Sequence, residues 1–206
     1  MKVLIFLIFI GLIAVEGIEI KDLTADELRT LCPNEYKFCA DKVSEGKCFG
    51  SSRKAGELKR KCPCSCSNVH HRRIQNCCKK VGREEMEFCL PLCAYNTTLQ
   101  DLGGGLGIKC VSQLTTWAYC AADAQDTTSC CQNKDAQDTT SCCQNKGVPK
   151  ECLSFCKGDV PTCDLQSIFS YKPCLKHMET IVSCHKEQLA DKPQFDPQWE
   201  APCEWE

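Results

Sequence analysis

With 206 residues of which 22 are cysteine, the chain passes the density at which a disulfide scaffold becomes the leading reading. A net charge of −2 leaves no global basicity, so no nucleic-acid partner is expected. The hydrophobic fraction of 43% includes the cysteines, so the aliphatic core is thin, and cross-links contributing roughly 2–4 kcal/mol each are needed to hold it.

The N-terminus supplies an address. Met1-Lys2 is followed by an apolar run, Val3 to Val15, and then Glu16-Gly17. This is the pattern of a secretory signal peptide over 1–17, with cleavage expected after Gly17. The run is short for a membrane span and no second one follows, so the mature chain is expected to carry no transmembrane segment. A secreted, extracellular location with an oxidising environment is the expectation, and an even cysteine count permits full pairing.

Residues 18–31 form the leading segment, where Thr24 and Glu27 have capping-box spacing at the start of a short helix. Six cysteines follow over 32–66: Cys32, Cys39, Cys48, Cys62, Cys64 and Cys66. The segment is polar and lacks strand alternation, which predicts turns and brief helices held by bridges. The spacing Cys32-x6-Cys39-x8-Cys48, with Gly46 before the third cysteine and Leu58 four residues before the fourth, resembles a ShK-type toxin domain. That resemblance implies the pairing Cys32–Cys66, Cys39–Cys62 and Cys48–Cys64. The ending Cys62-Pro-Cys64-Ser-Cys66 is more compressed than the family's.

Residues 67–76, with His70-His71-Arg72-Arg73, read as a basic linker. Arg72-Arg73 has the form of a dibasic processing site, but a solvated joint is the favoured reading. From 77 to 185 the cysteines follow one rhythm twice. Cys77-Cys78 is followed after ten residues by Cys89, then Cys93, Cys110 and Cys120; Cys142-Cys143 is followed after eight by Cys152, then Cys156, Cys174 and Cys184. Val148-Pro149-Lys150 and Gly158 bracket a helix that places Cys152 and Cys156 on one face. Helical periods also run over Ile108 to Tyr119 and Pro173 to Cys184. Adjacent cysteines rarely bond each other, so each doublet is expected to tie a helix start to two different neighbours.

Three stretches in this region resemble the DB module, a domain of invertebrate extracellular proteins: Cys89-Leu-Pro-Leu-Cys93-Ala-Tyr-Asn96, the run from Cys120 to Cys131, and Gly147 to Gly158. The resemblance implies six bridges among those 12 cysteines and brings no established activity. One sequence, Asp-Ala-Gln-Asp-Thr-Thr-Ser-Cys-Cys-Gln-Asn-Lys, stands at 123–134 and again at 135–146. The family spacing needs one copy. The repeat is therefore expected as an extruded loop with one surplus doublet, and spacing selects Cys142-Cys143 as the doublet in use. Cys130, Cys131, Cys163 and Cys203 then fall outside the modules, with a vicinal pair, a Cys163–Cys203 bridge or intermolecular pairing left open. Residues 186–206, rich in proline and acidic groups, are expected to be a flexible tail.

Little here points to chemistry. Asn96-Thr-Thr98 is a glycosylation sequon. Gly103 to Gly107 lacks the context of a phosphate loop and reads as a flexible connection. Cys62, Cys64 and Cys66 with His70 and His71 could offer zinc ligands, but structural zinc sites favour wider spacing and secreted thiols oxidise first. No catalytic motif is present, and His177 and His185 sit at helical positions that read as packing and solvent. No enzyme, metal or cofactor is expected.

The expectation is a mainly α, small disulfide-rich fold in which short helices are stapled by bridges, with two six-cysteine half-units in the main module. Its function is read as non-enzymatic extracellular binding, the partner an extracellular or cell-surface protein. Two alternatives stand beside it: an ion-channel or membrane modulator acting through the basic stretch Phe49 to Lys61, and an accessory domain of an extracellular hydrolase.

Overall fold

The computed structural model describes residues 22–82, 84–98, 101, 105, 109–128, 146–160 and 169–202. The signal segment 1–17 and Cys130, Cys131, Cys142, Cys143, Cys163 and Cys203 lie outside them. The fold is mainly helical and disulfide-rich, with no strand among the described residues.

Thr24 caps α1 (Ala25–Leu31) in a complete capping box: its hydroxyl accepts from the Glu27 amide and the Glu27 carboxylate accepts from the Thr24 amide. Then come α2 (Lys37–Ser44) and α3 (Arg53–Lys61), the latter capped by Ser52. Cys62 ends α3 and begins α4 (Pro63–Val81), with Pro63 in the first helical position. The free amides there are met from a distance. Glu35 accepts from the Cys64 amide at 2.6 Å and from the Ser65 amide at 3.1 Å, placing a carboxylate on the positive end of a 19-residue helix.

This helix corrects the linker reading. Residues 67–76 are the middle of α4, and Val69, His70, Arg73 and Ile74 are buried along it. The polar composition conceals an apolar stripe at Cys66, Val69, Ile74 and Cys77, spaced as a helix spaces one face. Arg73 is 7% exposed within a helix, so the folded chain does not present Arg72-Arg73 as a cleavable joint. One end of α4 packs on α1, α2 and α3; the other packs on α5 (Glu84–Cys89) and α6 (Leu114–Ala121).

Three bridges close the N-terminal unit: Cys32–Cys64, Cys39–Cys62 and Cys48–Cys66. Only Cys39–Cys62 agrees with the pairing implied by the ShK resemblance; the other two partners are exchanged. The compressed ending is the reason. Cys64 and Cys66 stand in the first turn of α4, where residues two apart face opposite sides. Cys64 therefore meets the end of α1, and Cys66 meets Cys48 beyond α2.

In the main module, Cys77 bonds Cys120, Cys78 bonds Cys93 and Cys89 bonds Cys110. The doublet does reach two different neighbours, but from the last turns of α4 rather than from a helix start. The described part of the second half shares one bridge of this plan. Lys150–Cys152 forms a 3-10 turn leading into α7 (Leu153–Lys157), and Lys172–His177 forms another leading into α8 (Met178–Gln188). Cys152–Cys174 is the counterpart of Cys89–Cys110, with sequence separations of 22 and 21. Gly158 ends α7 at φ +68°, and a Cβ there would stand 2.9 Å from the Cβ of Ala122.

The tail reading is also corrected. Residues 186–188 complete α8, Leu189 is fully buried, and the indole of Trp199 stacks on Tyr119 at 4.0 Å with planes 5° apart. The Asp196 amide donates to the Tyr119 hydroxyl at 2.8 Å. Proline-rich composition masks a strap whose Leu189, Phe195 and Trp199 pack in or against the core.

The start of the repeat is likewise anchored rather than extruded. Asp123 and Ala124 turn the chain at φ +52° and +55°. The Asp123 carboxylate is buried against Arg73, and Thr127 donates through both its amide (2.9 Å) and its hydroxyl (2.7 Å) to the Cys156 carbonyl. Downstream, Lys146 reaches Ser183 and Glu187. Because the two copies are identical, deletion of 123–134 brings Asp135, Thr139 and Cys142-Cys143 into the positions of the removed residues. The deletion variant is expected to fold with an unfolding free energy unchanged or raised by about 0.6 kcal/mol through the shorter loop. Urea denaturation and intact mass check this; a loss beyond about 2 kcal/mol would show that both copies are needed.

Candidate functional site

A cleft of 930 Å³ runs between the two half-units of the main module. One wall comes from the first half: Met86, Leu92, Val111, Leu114 and Trp117. The facing wall comes from the second: Phe169, Tyr171, Leu175, Met178 and Val182. Phe155 stands at the base, edge-on to Tyr171 with ring centroids 5.3 Å apart. Cys89, Cys93 and Cys110 also line the cleft, so the Cys89–Cys110 bridge holds one wall in place. Phe169, at 70% exposure, leaves an aromatic ring open to solvent on the second wall.

Most of the polar groups inside are already committed. The Thr97 hydroxyl donates to the Leu92 carbonyl at 2.7 Å, the Thr98 hydroxyl to Asp101 at 2.7 Å, and the Trp117 indole N–H to the Ala94 carbonyl at 3.4 Å. The Ser183 hydroxyl donates to Glu187 at 2.9 Å. What remains for a ligand is shape, apolar surface, and the charged groups Lys172, Lys176, Lys186 and Glu179.

Of the residues singled out from sequence, Asn96, which is exposed, lines the same cleft as Cys89, Cys93 and Cys110; the other candidates fall elsewhere or outside the described residues. The sulfurs of Cys62, Cys64 and Cys66 are all in disulfides. His70 is buried with Nε2 3.2 Å from the Cys48 carbonyl oxygen, and desolvation lowers its pKa to about 3. His185 is buried with Nδ1 3.3 Å from the Thr127 hydroxyl, and desolvation lowers it to about 4, against the Phe155 carbonyl. His71 is half-buried beside the Tyr95 ring. Of Gly103 to Gly107 only Gly105 is described, and it is helical.

The basic stretch is α3, with Arg53, Lys54, Arg60 and Lys61 exposed. Lys59 turns inward and donates to the carbonyls of Gly50 and Lys186, while Phe49 lies under the Arg73 guanidinium, 3.5 Å from its ring centroid.

Sequence reasoning missed the cleft, because its walls come from segments more than fifty residues apart that meet only through the pairing of the half-units. It also missed Asp123, which looks like a loop residue. Asp123 accepts from Arg73 at 3.4 Å and from the Gln194 amide at 3.2 Å, while Arg73 also donates to the carbonyls of Ala190 and Asp191.

The family model described as the DB module matches residues 77–140 and 133–185, the overlap falling within the repeated unit. No curated protein and no solved structure matches the chain.

Proposed function

The chain belongs to the DB module family, an extracellular cysteine-rich domain family, and on that premise we propose that it is a secreted, non-enzymatic binding protein whose ligand enters the cleft between the half-units. The observation that carries the reading is the cleft itself: 930 Å³ of mainly apolar wall held open by bridged helices. Pockets of about 300–1,000 Å³ with apolar walls are where small ligands are held. Walls fixed by disulfides need little ordering on binding, which preserves affinity. The ShK-like reading of 32–66 takes second place. Its support is the shared Cys39–Cys62 bridge, and the exchanged partners of the other two count against it.

The test is binding of a neutral apolar dye, Nile red, to the disulfide-intact chain. Saturable fluorescence gain is expected, and Leu175→Arg, a half-buried residue of the second wall, is expected to weaken it at least tenfold with an unchanged near-UV circular dichroism spectrum. Dye uptake that is equal in the variant would remove the cleft as the site.

A further inference from the structure

Resting on that reading, we infer that the cleft takes a single-chain amphiphile with an anionic head, of the long-chain carboxylate type, its tail between the two walls and its head at the lysines. Three observations converge on this chemistry. The walls are apolar on both sides, and the hydroxyls of Thr97, Thr98 and Ser183 and the indole N–H of Trp117 already donate to protein acceptors. A polar ligand body would find few partners inside and would lose its own hydration. An alkyl chain needs none.

The second observation is charge. Lys172, Lys176 and Lys186 line the cleft against the single carboxylate of Glu179 among its described lining residues. Lys172 and Lys176 are both exposed on the 3-10 turn leading into α8. Among the described residues none of the three ammonium groups forms an ion pair with the protein, which leaves the cleft's excess positive charge to be met by an anion. The third observation is Phe169. A ring 70% exposed on the cleft wall is apolar surface that an inserted alkyl chain covers.

Calorimetric titration of the full secreted chain, disulfides intact and below the micellar concentration, tests this with three probes of one chain length: decanoate, 1-decanol and decyltrimethylammonium. Decanoate is expected to bind about five- to tenfold more tightly than decanol at low salt, the increment of two exposed ion pairs, with the advantage lost at high salt. The cation is expected to bind most weakly. Dodecanoate should bind more tightly than decanoate, by about fourfold for each added CH₂. The double variant Lys172→Glu/Lys176→Glu is expected to reverse the order of carboxylate and ammonium while leaving decanol unchanged.

Equal binding of the three probes overturns the anionic-head assignment and leaves the cleft as an apolar site. Decanoate binding unaltered in the double variant also overturns it. Failure of all three to bind the native chain, together with absent Nile red uptake, removes both the ligand class and the binding function.

Discussion

Replacing Arg73 with alanine is expected to lower the unfolding free energy by about 3–5 kcal/mol, the range for breaking a buried charge pair from one side. The guanidinium is 7% exposed and its partner Asp123 is 1% exposed. Burial raises the Asp123 carboxyl above the usual range and Arg73 holds it down, so removal of the arginine leaves an uncompensated buried carboxylate. The loss extends beyond the pair. Arg73 also lies over Phe49, which follows α2, and donates to the carbonyls of Ala190 and Asp191 in the C-terminal strap. One side chain therefore ties the N-terminal unit, the first half-unit and the strap together. Arg73→Lys keeps the charge but not the planar fork, so an intermediate loss is expected. Urea denaturation gives the magnitudes, and earlier cleavage of the strap in limited proteolysis reports its release. A loss under about 1 kcal/mol for Arg73→Ala would show that the strap and Phe49 hold without it.

How much of this was legible in the chain depended on the distance between partners. The Thr24–Glu27 box was readable because both groups lie within one turn. The cysteine rhythm was readable because it repeats, and the equivalence of Cys89–Cys110 and Cys152–Cys174 follows it. Composition misled at the joint and at the tail. Histidine and arginine are rare in cores, yet His70 and Arg73 occupy one, each bonded to backbone carbonyls that satisfy it. Proline and acidic residues suggest a free tail, but Leu189 is buried, Trp199 stacks on Tyr119, and Arg73 holds the carbonyls of Ala190 and Asp191. Glu35 capping α4 had no local pattern to betray it, since its amide partners lie 29 and 30 residues away. The cleft was the least legible feature, because no single segment contains a recognisable part of it.

The second large effect is acid instability with every disulfide intact. His70 and His185 are buried and neutral; each has an ordinary value of 6.5, which desolvation lowers to about 3 and about 4 in the folded chain. Between those values and 6.5 the unfolded state binds up to two protons that the folded state refuses. Stability contributed by the two rings is therefore complete above 6.5 and is lost as pH falls through the window. Each ring supplies a slope of about 1.4 kcal/mol per pH unit, so the two together remove roughly 5 kcal/mol between neutral pH and pH 4.5. His185→Gln is expected to cut the proton uptake on unfolding by one, which separates the ring from the carboxylates that titrate at the acid end of the range. The glutamine also retains a hydrogen-bonding group toward the Thr127 hydroxyl. Denaturant midpoints measured at half-unit intervals from pH 7 to 4.5 read the slope directly. A flat profile across that range would mean that both rings gain protons in the folded chain, and that the sites around Cys48 and Thr127 open to water without unfolding.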